Sequence, residues 1–390
     1  MLSTDMAQPR GPLVGIKVLE MGGIGPGPFC CMLLADMGAE VVRIDRLIPS
    51  DSGLPVDRRF EVMLRGRRSV ALDLKHPEAI SAVKELVRGC GILIEGFRPG
   101  VMERLGLGPD VCLALNPTLV FGRMTGWGQS GPLAAAAGHD INYLALTGAL
   151  HAIGTQAGGP AIPLNLVADF GGGALYLAFG VLCAALEARS SGRGQVVDAA
   201  MIDGATSLMA MVHGLHAAGY WTDRRGENRL DSGAPFYNVY ETKDGRHVVL
   251  GCNEPKFYQN ALGVLGLSGT KLPDQHDRAS WPEMKRLFAE IFRMRTQDEW
   301  CAAFAPHPDA CFSPVLSLTE APLHPHQVAR GNFVQSAGVV QPAPAPRFSR
   351  TVPVMGQAPP EIGEHTDPVL REVGFDDDAL RRLRAMGAIG

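Results

Sequence analysis

The feature that most constrains this chain is an alternation in its first half. Residues 17–21, 40–45, 70–74, 92–95 and 119–124 are short apolar runs of strand character, and stretches of helical period at 29–37 and 77–88 lie between them. Parallel strands need crossover segments, which helices supply, so the pattern predicts a parallel sheet with helices on both faces. Helical character at 141–150 and 172–189, a strand at 195–199 and a long helix from 202 continue this half. The grammar then changes at the polar stretch WTDRRGENR, 221–229. Beyond it, 236–242 and 246–250 flank Asp244-Gly245, a hairpin signature, and helices are expected near 255–265, 281–293 and 296–304. A chain of 390 residues has room for two such domains.

Composition excludes several classes of function. Apolar residues at 46% and charged residues at 19% are the balance of a globular protein, and a net charge of -4 exerts no global pull toward nucleic acid. The polar residues 1–10 lack the apolar core of a signal peptide, and no run of about twenty uninterrupted apolar residues reads as a membrane span. A cytoplasmic protein is expected. Eight scattered cysteines form no CxxC pair, which favours reduced, buried thiols. His324 and His326 sit among prolines with no Cys or Asp close by in the sequence, so no metal is expected. The proline-rich 341–347 reads as an extended connector.

The loop GGIGPGP, 22–28, follows a strand and opens a helix, and Asp45 ends the next strand much as a ribose-binding acid would. Pro28 stands where the third glycine of a dinucleotide fingerprint belongs, and neither Pro26 nor Pro28 has an N–H for a pyrophosphate. A glycine-rich turn beneath another ligand is the better reading, and no nicotinamide, flavin or other cofactor is expected.

The segment IEGFRPGVMERLGLG, 94–108, resembles the signature of the family III CoA-transferase superfamily, which includes the α-methylacyl-CoA racemases. Further matches are VRIDR at 42–46, GRRSVALDLK at 66–75, MTGWGQSGP at 124–132, AGHDINY at 137–143, GQVVDAAM at 194–201 with Asp203-Gly204, and GEHTDPVL at 363–370. The resemblance spans nearly the whole chain. Arg46, Lys75, Arg98 and Arg104 put positive charge at or just after strand ends, where open α/β sheets bind ligands and guanidinium forks match phosphate oxygens. Taken singly, each could be a solvated surface charge. The resemblance turns the group toward coenzyme A, and implies that Leu72, Leu74, Glu95, Gly96, Phe97 and Val101 line the same cleft.

It also implies a chemistry. A proton on the carbon α to a thioester is weakly acidic, so its removal needs a placed base and a group to hold the enolate oxygen, and inversion needs a second acid on the opposite face. His139 and Asp169 match the racemase pair residue by residue. Histidine titrates near neutrality, whereas a carboxyl must be raised by desolvation to carry a proton there, and Asp169 lies among apolar neighbours. Glu254, before Pro255, matches the position that orients the histidine; it could equally be an acid favoured at a helix start. The resemblance places the backbone N–H of Asp140 at the enolate oxygen, while N-capping is an equally good role for its side chain.

The fold so implied is α/β: a Rossmann-like six-stranded large domain (1–199 with 340–390), a linker helix (200–229), a smaller α+β domain (230–325) and a return linker (326–339). Members of the superfamily form interlocked homodimers. The expected reaction is epimerisation of 2-methylacyl-CoA, in which coenzyme A is part of the substrate and neither nucleic acid nor membrane is a partner. The alternative is CoA transfer between carboxylic acids through an acyl-enzyme on Asp169. Against it stand His139, which that mechanism does not need, and the lack of a glycine-rich shielding loop near 250–260. A non-catalytic acyl-CoA binder would have no use for His139, Asp169 and Glu254 together. Met209 and Met211 are candidates for an acyl-chain surface, or simply core.

Overall fold

The structure is a computed structural model that describes residues 11–48 and 56–390. The chain divides into two compact units, the first formed by the chain up to Leu144 with Leu164–Leu208 and His326–Gly390, the second by Ala145–Pro163 and Met209–Pro325.

The first unit is built on six parallel strands: β1 (Lys17–Met21), β2 (Glu40–Asp45), β3 (Arg67–Ala71), β4 (Ile92–Glu95), β5 (Val120–Thr125) and β6 (Gln195–Ala200). Their order is β3-β2-β1-β4-β5-β6, so the direction of winding reverses between β1 and β4. A crevice outside the carboxyl ends of the strands at such a reversal is where doubly wound sheets bind ligands. Helix α1 (Pro26–Asp36) starts three residues earlier than its apolar run suggests, because Pro26 fits the first helical position and needs no N–H acceptor there. Helix α2 (Pro77–Gly89) buries Ala79, Ala82, Val83, Leu86 and Val87, the stripe its spacing predicts, in a core shared with Leu19, Leu93 and Phe121.

Strand β3 lies at 67–71, not 70–74, and pairs with β2 from Val41↔Arg67 to Asp45↔Ala71. Apolar periodicity misses its start because a buried ion pair, not a hydrophobic contact, holds Arg67 in place. The C-terminal segment covers this edge: the N–H of His365 donates to the Ser69 carbonyl (2.8 Å), the N–H of Ala71 donates to Thr366 Oγ1 (3.1 Å), and Leu72 bridges Ile389.

The helix expected at 141–150 is two short ones, Asp140–Ala145 and Ala149–Ala152, broken at Gly148 with φ 81°. That expected at 172–189 starts earlier, as a π-helical stretch Leu166–Ala174 leading into the α-helix Leu175–Ser191. The combined 166–191 is long and apolar enough to cross a membrane by length and composition alone, although charged residues interrupt it. It carries Asp169, Glu187 and Arg189 and packs on β5 and β6.

The second unit holds an antiparallel sheet in the order Phe312–Pro314, His247–Gly251, Tyr237–Glu241, packed with helices Pro255–Val264, Trp281–Phe292 and Gln297–Phe304. Its core is aromatic: Phe236, Tyr240, Tyr258, Phe288, Phe292 and Trp300. The partition departs from the sequence-based boundaries at 145–163, 200–229, where the expected linker divides between the units after Leu208, and 326–339. The first of these joins the second unit through Arg225, whose guanidinium donates to the carbonyls of His151 and Thr155. Apolar period carries no trace of such long-range backbone contacts.

Candidate functional site

The reversal point sits on a buried lattice of charge. Arg43, in the middle of β2, pairs with Glu20 (2.5 Å) and Asp45 (2.8 Å) and donates to the Gly23 carbonyl (3.1 Å); Arg67 pairs with Glu20 (3.1 Å) and donates to the Pro28 carbonyl (2.5 Å). Burial pushes the Glu20 carboxyl up, but Arg43 and Arg67 outweigh it and hold the group below the usual carboxylate range. Both ends of the glycine-rich loop are thereby tied to the strands beneath it. Asp45 also accepts from Ser69 Oγ (2.6 Å) and pairs with Arg58, so it is bonded within the lattice and is no free acid for a ribose. Sequence reasoning missed Glu20, Arg43 and Arg67 as a group. The signal was there as charged residues set inside apolar strands.

After the strand ends come the expected cationic side chains. Arg46 follows β2, Lys75 follows β3, and Arg98 and Arg104 follow β4; all four are exposed. Gly96, Phe97 and Val101 lie on the turn and short helix after β4, with Phe97 half-buried against the core. Leu72 is core (1% exposed) and Leu74 packs beside it, so any part they take in a cleft is to support its wall. Glu95 is buried, its carboxylate accepting from the Phe97 N–H (2.7 Å) and Arg123 Nε (2.8 Å). It builds the turn that presents Phe97 and Arg98.

His139 enters from the loop after β5. It is exposed; its N–H donates to Asn142 Oδ1 (3.0 Å) and its carbonyl accepts from the Asn142 N–H (2.8 Å). Asp140 opens the helix Asp140–Ala145, so its backbone N–H belongs to the first turn, where amides have no intrahelical acceptor. Its buried side chain reaches the π-helical stretch: Oδ2 accepts from the N–H groups of Ala168 (2.9 Å) and Asp169 (2.8 Å). The capping considered for this carboxylate is thus real but serves a different helix. One residue ties the segment of His139 to that of Asp169.

Asp169 is half-buried on that stretch, a helix type that recurs at functional sites. Gly172 and Gly204 let the stretch lie backbone to backbone on the helix Met201–Leu208, since a Cβ on Gly204 would fall 1.8 Å from the Gly172 carbonyl oxygen. Around the carboxyl, Asn165 Nδ2 donates to Oδ2 (3.2 Å), Gly25 of the glycine-rich loop lies alongside, and the neighbouring Phe170 ring meets Phe29 at 4.6 Å. Burial raises the Asp169 carboxyl; Asn165 opposes the shift, Asp140 adds to it, and His139 is close enough to pull it down. Neither Asn165 nor Gly25 stood out in the sequence as a neighbour of this acid. Glu254, exposed in the second unit, immediately precedes the helix Pro255–Val264 and makes no side-chain cap. Among the described residues no group of three or more His, Cys, Asp or Glu could hold a metal ion.

The chain matches the family model for CoA-transferase family III over residues 13–366. It is 44% identical over 375 residues to the alpha-methylacyl-CoA racemase of Mus musculus and 43% identical to that of Homo sapiens, covering 96% of this chain and 96% of each relative. Among solved structures, a CAIB/BAIF family protein from Brucella suis superposes with a TM-score of 0.82 over 93% of this chain and all of that one, at 24% identity. With this extent of match and the parallel sheet, strand-end arginines and His139–Asp169 segments in place, the chain belongs to CoA-transferase family III.

Proposed function

We propose that the protein epimerises 2-methylacyl-CoA thioesters by moving the α-proton between His139 and Asp169 through an enolate. The observation that carries this reading is the joining of the two residues by Asp140, which bonds the π-helical stretch directly while leading the helix that follows His139. A raised carboxyl beside a histidine is a pair able to exchange roles: the histidine takes the proton as the acid gives one, or the reverse. The relatives at 43–44% identity are racemases by name, which supports the same assignment over CoA transfer. Arg46, Lys75, Arg98 and Arg104 would hold the phosphates of the CoA moiety, and an apolar cleft of the second unit lined by Met209, Met211 and Trp221 is a candidate for the acyl chain.

The assembly belongs to the same proposal: an interlocked homodimer in which Glu254 of one chain orients His139 of the other, acting in the cytoplasm without an added cofactor. Eight cysteines that are all free thiols suit a reducing compartment.

The test is incubation of a single epimer of 2-methylacyl-CoA in deuterated water. Loss of stereochemical purity together with gain of one α-deuterium is expected, and the absence of both rejects the reading. A second expectation concerns the CoA moiety. Arg98→Ala or Arg104→Ala should raise KM by roughly 10-fold or more while lowering kcat less, because a remote phosphate contact is made equally in ground and transition states. Unchanged KM in both variants would remove these residues from the site.

A further inference from the structure

We propose that Tyr143 is a positioning residue for His139, fixing the backbone from which the imidazole reaches the substrate. This inference rests on His139 being one of the two proton-transfer groups. Tyr143 holds the peptides on both sides of that residue: its hydroxyl donates to the Gly138 carbonyl, and its N–H donates to the His139 carbonyl (3.3 Å). The ring occupies a slot that only glycines leave open, since a Cβ on Gly126 would fall 2.0 Å from ring atoms and one on Gly138 would fall 2.8 Å away. Trp127 closes the slot edge-on, with ring centroids 4.8 Å apart at 83°.

The loop needs such a clamp at its far end. Its first residues are secured elsewhere: the Gly128 N–H donates to Thr125 Oγ1 (3.0 Å), the Gln129 N–H to Asp198 Oδ2 (3.1 Å), and the Gly126 carbonyl accepts from the Ile202 N–H (3.1 Å). From Ser130 to Ala137 the chain is mostly exposed and its backbone bonds are internal turns, such as Ala134 to Gly131 and Ala136 to Leu133. Asn142 and Tyr143 then fasten the chain where His139 emerges. Burial raises the Tyr143 phenol, the nearby Asp169 carboxylate adds to the shift and Arg98 opposes it, so at neutral pH the hydroxyl is protonated and donates. Asp140, on the same short helix, grips the other base through the amides of Ala168 and Asp169. The Tyr143 hydroxyl bonds directly to the peptide of His139 and the Asp140 carboxylate directly to the amide of Asp169, and an asymmetry between substrate faces follows from which of these contacts is deleted.

The test compares initial α-deuterium uptake from each epimer separately, in the full-length protein, for wild type and Tyr143→Phe. The substitution keeps the ring, and therefore the slot and the Trp127 contact, while deleting the hydroxyl. Uptake on the His139 face should fall on the order of 10-fold, with the Asp169 face retained within about 2-fold and KM little changed, because misplacing a reacting group mainly slows the step that uses it. Asp169→Ala, which leaves only the histidine, identifies the His139 face. Asp140→Ala should show the opposite preference. Equal loss on both faces, the same preference in the Tyr143 and Asp140 variants, or full activity of Tyr143→Phe would each overturn the inference. No uptake from either epimer by wild type would instead reject the two-base reading, and the positioning role with it.

Discussion

Replacing either His139 or Asp169 by Ala is expected to abolish net epimerisation, with a loss on the order of 10²–10⁴-fold or greater for each. Inversion requires a proton to leave one face and arrive on the other, so neither side chain can cover for its partner. What should separate the variants is residual isotope exchange without inversion. His139 alone can remove and return a proton on its own face, Asp169 alone on the other, and each variant should prefer the opposite epimer. Surviving exchange should be small, because the carboxyl of Asp169 is set by its surroundings, with burial raising it and His139 lowering it, so removing one base disturbs the other. The same variants decide against CoA transfer. In a transferase the Asp169 carboxylate would displace CoA thiolate to form a mixed anhydride, the thiolate would return to the Asp169 carbonyl and release the first carboxylate, and a second carboxylate would reverse both steps to leave with CoA; rapid quenching would leave an adduct trappable by hydroxylamine. An adduct on that residue, with CoA transfer to a free acid and no α-deuteration, would reject the racemase assignment.

The largest loss of stability is expected from Arg43→Ala. Arg43 and Glu20 are both buried, Arg43 also pairs with Asp45, and Glu20 is shared with Arg67. Removing Arg43 leaves Glu20 with Arg67 and Asp45 with Arg58 as their remaining counter-charges, so the buried carboxylates lose part of their compensation; complete loss costs about 3–5 kcal/mol in comparable buried pairs, which bounds the effect from above. Urea unfolding followed by far-UV circular dichroism should show the midpoint falling in proportion, with the slope unchanged. Arg43→Met, which fills the volume without the charge, should be no better unless Glu20 is replaced in the same chain. A midpoint unchanged in Arg43→Ala would mean that the lattice does not hold the strands. The pH dependence follows the sign of the shift: the folded-state Glu20 lies below its ordinary value, so its stabilisation is present above the ordinary carboxylate range and is lost as pH falls through the lowered value. Because Arg43 also grips the Gly23 carbonyl, partial activity loss should accompany the unfolding shift.

Local physics explains how much of this was legible in the sequence. Strands at 17–21, 40–45 and 92–95 coincide with their apolar runs because both faces of a parallel sheet are buried, so that apart from the exposed Lys17 most residues there are apolar or paired. The helix stripe of 77–89 and the Asp244-Gly245 turn are likewise decided by neighbours a few residues apart. His139, Asp169 and the strand-end arginines stood out through motif resemblance, which names residues without placing them.

What tertiary structure alone decided are relations over long separations. Glu20 meets Arg43 and Arg67, and Asp140 meets Ala168 and Asp169, across gaps of 23, 47, 28 and 29 residues. The π-helical stretch 166–174 has two amides captured by Asp140 and Gly172 pressed against Gly204, neither of which leaves a periodic mark. The start of β3 was hidden because Arg67 is buried by charge pairing, while hydrophobic period registers only apolar burial. Local order along the chain settles which segments are strands and helices and which residues could carry proton transfer; the fold settles which of them touch, because a hydrogen bond or buried ion pair is set by through-space distance and chain spacing does not encode it.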